Sequence, residues 1–537
     1  MPTQKKRSFL GGVAVLTASV AIVKLIGAFY KLPLNNILGD VGKTYFQTAY
    51  DIYNLLLAIS TAGLPLALSK LTSEAHAQGR ENEKRKLFFT ALVLFAAIGL
   101  TGSALMFFGS DRLAAFLNND MAAVPILALS PAVFFVCMQS CFTGYIRGQG
   151  NMVPTAVSQV SEAACKMLLG LFLARLLLSR GLGLEYGAAG AIAGVTVGTF
   201  LSTLFPLFYL LTHRRRTPSS DVPSRTSALV GRILSIGIPI TLGSSAMSII
   251  SIIDTKIILG RLQSGLGLTP VAAAALKGQY SYAMDMLNML ASFVNPITLS
   301  LIPFVAAALV RKDYEGADRT VSAAFRVIAV LTFPAGVGLS VLSTPIMRLV
   351  LPAQPEGALA AGPHLRILGI ACIFTCLMIL TNAILQTYGK ERIPIFTMIV
   401  GGLVKIAMNY VLVGDPDINI HGAPVSTLCC YMTIVALNLF FVWRYSPSKP
   451  RYLHLFAKPL IASALMGAAA WAVCGFVGRA LEPGHSAYMA NAAATLCGIL
   501  AGASVYAVLV VALRILRAED LRRIPHGDKL ARLLHLR

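Results

Sequence analysis

Charge is what this chain lacks. Aspartate, glutamate, lysine and arginine make up 13% of its 537 residues, against about 25% in a soluble globular protein. With 56% hydrophobic residues and a mean hydropathy of +0.72, that shortage excludes a water-soluble fold and leaves a polytopic membrane protein. Signatures of catalysis are missing too. There is no Walker loop for a nucleotide, no HExxH, no GxSxG and no paired Cys/His cluster, so neither an enzyme nor a cofactor or metal is expected. The nine cysteines form no CxxC and read as small buried apolar residues. The eight histidines lie mostly in loops or the tail, none paired at i, i+4, and read as solvated.

What the chain has instead is long apolar runs. A spanning helix needs about 20 mostly apolar residues, and fourteen segments meet that length: 9–30, 45–69, 87–109, 122–146, 154–178, 187–212, 229–259, 278–308, 322–346, 363–387, 394–413, 423–443, 456–479 and 488–513. The basic start MPTQKKRSF runs straight into the first segment with no small-residue cleavage site, so that segment reads as an uncleaved membrane helix. The fold class expected is all-α.

The net charge of +22 would suggest nucleic acid on a soluble protein. Here the bases sit in short loops, and no nucleic-acid partner is expected. With the N-terminus placed in the cytoplasm, both termini and the even-numbered connections carry 31 Lys and Arg, and the opposite side carries 8. That asymmetry follows the positive-inside rule for fourteen helices with both ends cytoplasmic.

The segments repeat. Lys24 in the first corresponds to Lys256 in the seventh, and Pro65 to Pro296. Gly150 precedes Lys166 by 16 residues as Gly389 precedes Lys405, each glycine is followed by a proline (Pro154, Pro394), and Gly187-Ala188 corresponds to Gly422-Ala423. Two copies of one six-helix unit, in the same orientation, are expected. The organisation is then a first bundle over 1–212, a cytoplasmic linker over 213–232, a second bundle over 233–445, and 446–537 carrying two further helices and a basic tail.

Six bases (Lys24, Lys166, Arg175, Lys256, Arg366, Lys405) and four acids (Asp51, Glu162, Asp254, Asp285) fall inside the segments. Each costs about 3 kcal/mol at mid-bilayer, so each should face a cavity or a partner. Lys24 and Lys256, on the first helix of each half, point to binding of an anionic headgroup as point charges; Lys31 and Lys405 join them as candidate cavity residues. The opposing reading is internal pairing, of Lys256 with Asp254 and of Lys24 with Asp51. Glu162 lies i−4 to Lys166 and is expected to pair with it. Asp51, Asp254 and Asp285 read as coupling or gating acids. Pro65 and Pro296 free a backbone carbonyl each and permit a bend, and the stretch Asp51–Glu74 around Pro65 reads as a gating element.

Four runs carry a family resemblance: KLIGAFYKLPLNNILG from Lys24, GLPLALSKLTSE at Gly63–Glu74, YIRGQGNMVPTAVSQVSEAACK from Tyr145, and LIPFVAAAL from Leu301. They resemble the stage V sporulation protein B group of the multidrug/oligosaccharidyl-lipid/polysaccharide (MOP) flippase superfamily, which also holds the MurJ lipid II flippases. The resemblance implies a cationic central cavity, a tail groove on the last two helices, and Lys24 at a basic family position. This sequence departs from the pattern in the eighth segment, where Tyr280-Ser281-Tyr282-Ala283 lacks the family's arginine. It departs again in the second, where the family's acid falls near Tyr45 and a late base is missing.

The function implied is a flippase carrying an undecaprenyl-pyrophosphate-linked saccharide, foremost lipid II, from the inner to the outer leaflet by alternating access, for cell-wall or spore-cortex peptidoglycan. Coupling would be to Na+, H+ or the membrane potential. The partners expected are the lipid-linked oligosaccharide, membrane lipids and cell-wall synthesis proteins, in the bacterial cytoplasmic membrane. The alternatives are a cation-coupled multidrug exporter of the same superfamily, which should offer a net acidic cavity, and a non-transporting scaffold, which gains nothing from buried charge.

Overall fold

A computed structural model describes residues 2–61, 63–213, 219–311, 313–446, 449–450, 452–481, 486–513 and 515. The described residues form helices joined by short connections, without a strand. In chain order the helices are α1 (Pro2–Thr61), α2 (Gly63–Ala77), α3 (Glu81–Phe108), α4 (Ser110–Phe116), α5 (Ala123–Gly148), α6 (Val153–Ser179), α7 (Leu184–Thr212), α8 (Thr226–Gly260), α9 (Pro270–Val310), α10 (Tyr314–Val341), α11 (Ser343–Val350), α12 (Pro355–Thr387), α13 (Arg392–Leu412), α14 (Gly422–Tyr445), α15 (Tyr452–Leu481) and α16 (Ala487–Ala512). The predicted segments overlap these helices, the first and the start of the second sharing α1. Among the described residues, eleven helices are long and apolar enough to cross a membrane. In hydrocarbon a chain must satisfy every backbone polar group within itself, and a helix does so locally. The outward faces carry large apolar side chains such as Phe108, 84% exposed, and Phe476, 76% exposed. Such surface belongs in lipid rather than in water.

α1 holds the first predicted segment and the start of the second. They are joined without a loop through Gly39, where the backbone turns to φ 66, ψ −177. Positive φ at that point is readily available only to glycine, so one residue redirects a 60-residue helix.

Two compact units divide the chain, Met1–Gly278 and Gln279–Arg537. The first holds α1–α8 and the start of α9. Within it α7 packs on α5 and α6, α1 on α6, α2 on α5, and α8 against both α1 and α2. The α2–α8 crossing is nearly bare backbone: a Cβ on Gly63 would lie 2.0 Å from the Gly237 carbonyl oxygen. In the second unit α12 packs on α10 and α14, α13 on α14, and the α15–α16 hairpin lies against α10 and α11.

Two glycines matched between the halves share a backbone conformation. Gly150 and Gly389 both take positive φ, +85° and +70°, ahead of α6 and α13. Each of those helices is then tied to the next by a buried hydroxyl: Ser158 Oγ donates to the Ser202 carbonyl at 2.7 Å, and Thr397 Oγ1 to Asn438 Oδ1 at 2.8 Å.

Candidate functional site

The densest buried polar cluster of the first unit lies where the second half of α1 meets α8 and the start of α9. Asp51, Thr255, Lys277, Lys43 and Asp254 are all under 8% exposed. Gln47, one turn before Asp51, donates to Asp51 Oδ1 at 2.8 Å. Thr255 Oγ1 donates to Asp51 Oδ2 at 2.8 Å and accepts from Lys277 Nζ at 2.7 Å. Ser251, one turn before Thr255 on the same α8 face, lies 3.5 Å from the same carboxylate. A second bond ties the elements together, from Thr44 Oγ1 to the Ala274 carbonyl at 2.7 Å. Beside it Gly278 sits on the backbone of Asp40, where a Cβ would come within 1.9 Å of the Asp40 oxygen. Asp51 is therefore enclosed with a base, Lys277, and is hydrogen-bonded on both oxygens. Pairing and hydrogen bonding of that kind are the condition under which buried charges are tolerated.

Lys256 does not turn into this cluster. Its Nζ lies 3.6 Å from the centre of the Phe116 ring, and its carbonyl accepts from Asn118 Nδ2 at 3.4 Å. Gln263 in turn donates to the Asn118 carbonyl at 2.7 Å. The end of α8 is thus bound to the α4–α5 connection. Lys24 is exposed on α1, and among the described residues no ion pair joins it to Asp51. The opposing reading paired Lys256 with Asp254; its ammonium lies on the Phe116 ring instead.

A second cationic centre lies between α1 and α6. Lys166 Nζ is 2.6 Å from the Tyr50 hydroxyl, 4.4 Å from the Tyr50 ring centre and 5.3 Å from that of Tyr30. Phe46 stacks on Tyr50 at 5.5 Å. The expected Glu162–Lys166 ion pair does not form. Glu162 instead accepts from Gln139 Nε2 at 3.2 Å, which also donates to Ser158 at 2.7 Å. The aromatic faces out-compete the i−4 carboxylate because they enclose the ammonium from two sides.

The remaining candidates are placed as follows. Lys31 and Lys405 are half-buried and Asp285 is buried. Pro65 is buried against α5, where a Cβ on Gly144 would meet the Pro65 backbone at 2.9 Å. Pro296 lies in α9, and its side chain is outside the described residues. Sequence reasoning assigned Lys43 and Lys277 to loops and passed over Gln47, Thr255 and the tyrosines around Lys166. The i, i+4 spacings Gln47–Asp51 and Ser251–Thr255 were the available signal.

The linker at the other end of α8 is docked. α3 has no side-chain cap of its own, and the Asp221 carboxylate supplies one, accepting from the amides of Asn82 at 3.0 Å and Glu83 at 2.8 Å. Ser224 donates its amide and hydroxyl to Glu83 at 2.6 and 2.8 Å, and Arg232 pairs with Glu74 at 3.0 Å. Desolvation beside the helix end works to raise the Asp221 pKa. The bonds from the Ser219 hydroxyl and the Glu83 and Asn82 amides outweigh it and hold that carboxyl below its ordinary range.

Comparison with known proteins adds a family to this geometry. Residues 9–309 match the family described as polysaccharide biosynthesis protein, and 239–411 match the family MatE. The chain is 24% identical to stage V sporulation protein B of Bacillus subtilis (strain 168), over 97% of this chain and 98% of that protein. It is 24% identical to the lipid II flippase MurJ of the same organism, over 86% and 87%. Among solved structures, lipid II flippase MurJ in an inward closed conformation superposes with a TM-score of 0.64 at 16% identity, over 93% of this chain and 98% of that one. A multidrug resistance MATE family transporter of the MOP superfamily, in an inward-facing conformation, superposes at 0.63 and 15% identity, over 80% and 98%.

Proposed function

This chain belongs to the polysaccharide biosynthesis protein family, and from that premise we propose that it is a flippase for a lipid-linked saccharide, with lipid II the foremost cargo. The observation that carries the reading is the Thr255 hydroxyl shared by Asp51 and Lys277. It is a buried polar clasp between a helix of the first repeat and the opening helices of the second. Such a clasp holds one end of a passage shut and, when its bonds exchange for water, lets that end open. Alternating access requires a closure of that kind at each end. In the expected orientation the clasp faces outward, and the docked linker lies in the cytoplasm. Lys24, exposed on α1, meets the headgroup, joined by Lys31.

The energetics favour export. A pyrophosphate carries about two negative charges, and an inside-negative potential favours outward movement by about 2.3 kcal/mol per charge per 100 mV. The prenyl tail stays in lipid, and only the headgroup needs the polar passage. The α15–α16 hairpin, outside the repeat, is available to guide that tail.

The test is complementation of a strain depleted of its lipid II flippase, read as lipid II accessible at the outer leaflet. Restored accessibility is expected. Good expression without it would overturn the lipid II assignment, and resistance to cationic drugs in the same cells would favour the multidrug exporter instead.

A further inference from the structure

The histidines read as solvated loop groups include one that is not. His364 lies in α12 and is 1% exposed, and no group among the described residues hydrogen-bonds its buried Nδ1. A buried polar atom without a partner is unfavourable, so the site has a reason to take up something that uses the lone pair. Its ring faces His421, with centres 4.8 Å apart and planes inclined at 40°. His421 is exposed, at the end of the turn that links α13 to α14. Tyr280 is the other titratable group against His364, edge-on at 6.4 Å, and its hydroxyl is engaged with Thr427 at 2.8 Å. The same turn carries Asp415 and Asp417, folded by a bond from the Asp417 amide to Asp415 Oδ1 at 2.9 Å.

We infer that His364 and His421 form a two-imidazole site for a borderline divalent cation of the Zn2+, Ni2+ or Co2+ class. The spacing suits one. An imidazole nitrogen binds such an ion at about 2.0–2.1 Å, which puts each ring centre roughly 3.2 Å from the metal. Ring centres 4.8 Å apart then subtend about 100° at the ion, between the tetrahedral and octahedral values. Imidazole selects these ions over Ca2+ and Mg2+, which prefer oxygen. Exposed His421 gives the ion a way in. Water completes the coordination. A bound ion would brace α12 against the α13–α14 turn. Nothing in this inference depends on the cargo.

The experiment uses the full chain in detergent, with Co2+ absorption and Zn2+ competition against a chromophoric chelator as readouts. The wild type is expected to show the visible spectrum of protein-bound Co2+ and to bind one Zn2+, without response to Ca2+ or Mg2+. His421→Gln, at an exposed position that leaves folding intact, should weaken Zn2+ binding at least tenfold and abolish the Co2+ spectrum. His364→Gln should do the same where it folds. Wild-type binding by His421→Gln, or no Zn2+ binding by the wild type, overturns the site.

Discussion

Asp51 and Lys277 meet through one hydroxyl. Thr255 Oγ1 gives its proton to Asp51 Oδ2 at 2.8 Å and receives one from Lys277 Nζ at 2.7 Å. The aspartate and the threonine are 204 residues apart, and every member is buried. A single hydroxyl used in both directions transmits any change at one charge to the other.

Removing one charge from this clasp should therefore cost more than removing two. Asp51→Asn takes from Lys277 the carboxylate it reaches through Thr255, Lys277→Met takes from Asp51 the matching ammonium, and breaking a buried pair on one side costs up to about 3–5 kcal/mol. The double variant restores neutrality and should recover much of that loss. Thr255→Val keeps the shape and deletes both bonds, for about 1–3 kcal/mol. Thermal unfolding of the four variants in detergent checks the ordering. A double variant no better than the sum of the singles would show that the two charges do not communicate.

The helices were legible because they are written in short-range terms. Twenty apolar residues without charge leave few alternatives to a helix in lipid. Gly150 and Gly389 could be matched because a turn of positive φ needs the same residue in both halves. The clasp was less legible. Asp51 stood out as an acid in an apolar run, but Lys277 sits just outside the eighth segment, and nothing local distinguishes a base that snorkels to water from one that folds inward. Lys256 shows the same limit. Its match to Lys24 suggested a common role, yet its ammonium went to the Phe116 ring, a neighbour set by tertiary packing. His364 escaped because burial, not residue type, decides whether an imidazole is solvated.

The α2–α8 crossing should not tolerate a methyl group. A Cβ on Gly63 would lie 2.0 Å from the Gly237 oxygen and 2.5 Å from the Thr241 hydroxyl, and backbone on the far side cannot yield as a side chain can. Gly63→Ala should separate the helices and lower stability by about 1–3 kcal/mol. Cysteine labelling along α8 near residue 237 should rise in that variant. Unchanged labelling and melting would mean that the crossing is loose.

Linker docking should depend on pH through Asp221. Its carboxyl is held below the ordinary range, so the folded form binds its proton less readily than the unfolded form. The contribution is present above the ordinary aspartate value of about 3.9 and fades as pH falls through the lower folded value. At neutral pH the linker should resist proteolysis between 219 and 225, and acidification below about pH 4 should expose it. Asp221→Ala should expose it already at pH 7 without altering the apolar core. Equal protection of the variant and the wild type at pH 7 would remove the carboxylate from the account.

The lysines matched by the repeat should separate on mutation. Lys256 holds the end of α8 to Phe116 at 3.6 Å, a cation–π contact worth about 0.5–2 kcal/mol, so Lys256→Ala should lower the melting temperature and leave headgroup binding nearly intact. Lys24 is exposed and not ion-paired with Asp51, so Lys24→Ala should leave the melting temperature unchanged and reduce translocation. Lys24→Arg preserves the charge and should restore most of it. Phe116→Leu should reproduce the stability loss of Lys256→Ala and add little to it in the double variant, since the two residues spend their energy on one contact. A translocation defect of equal size in Lys24→Ala and Lys256→Ala would instead place both ammonium groups on the headgroup path.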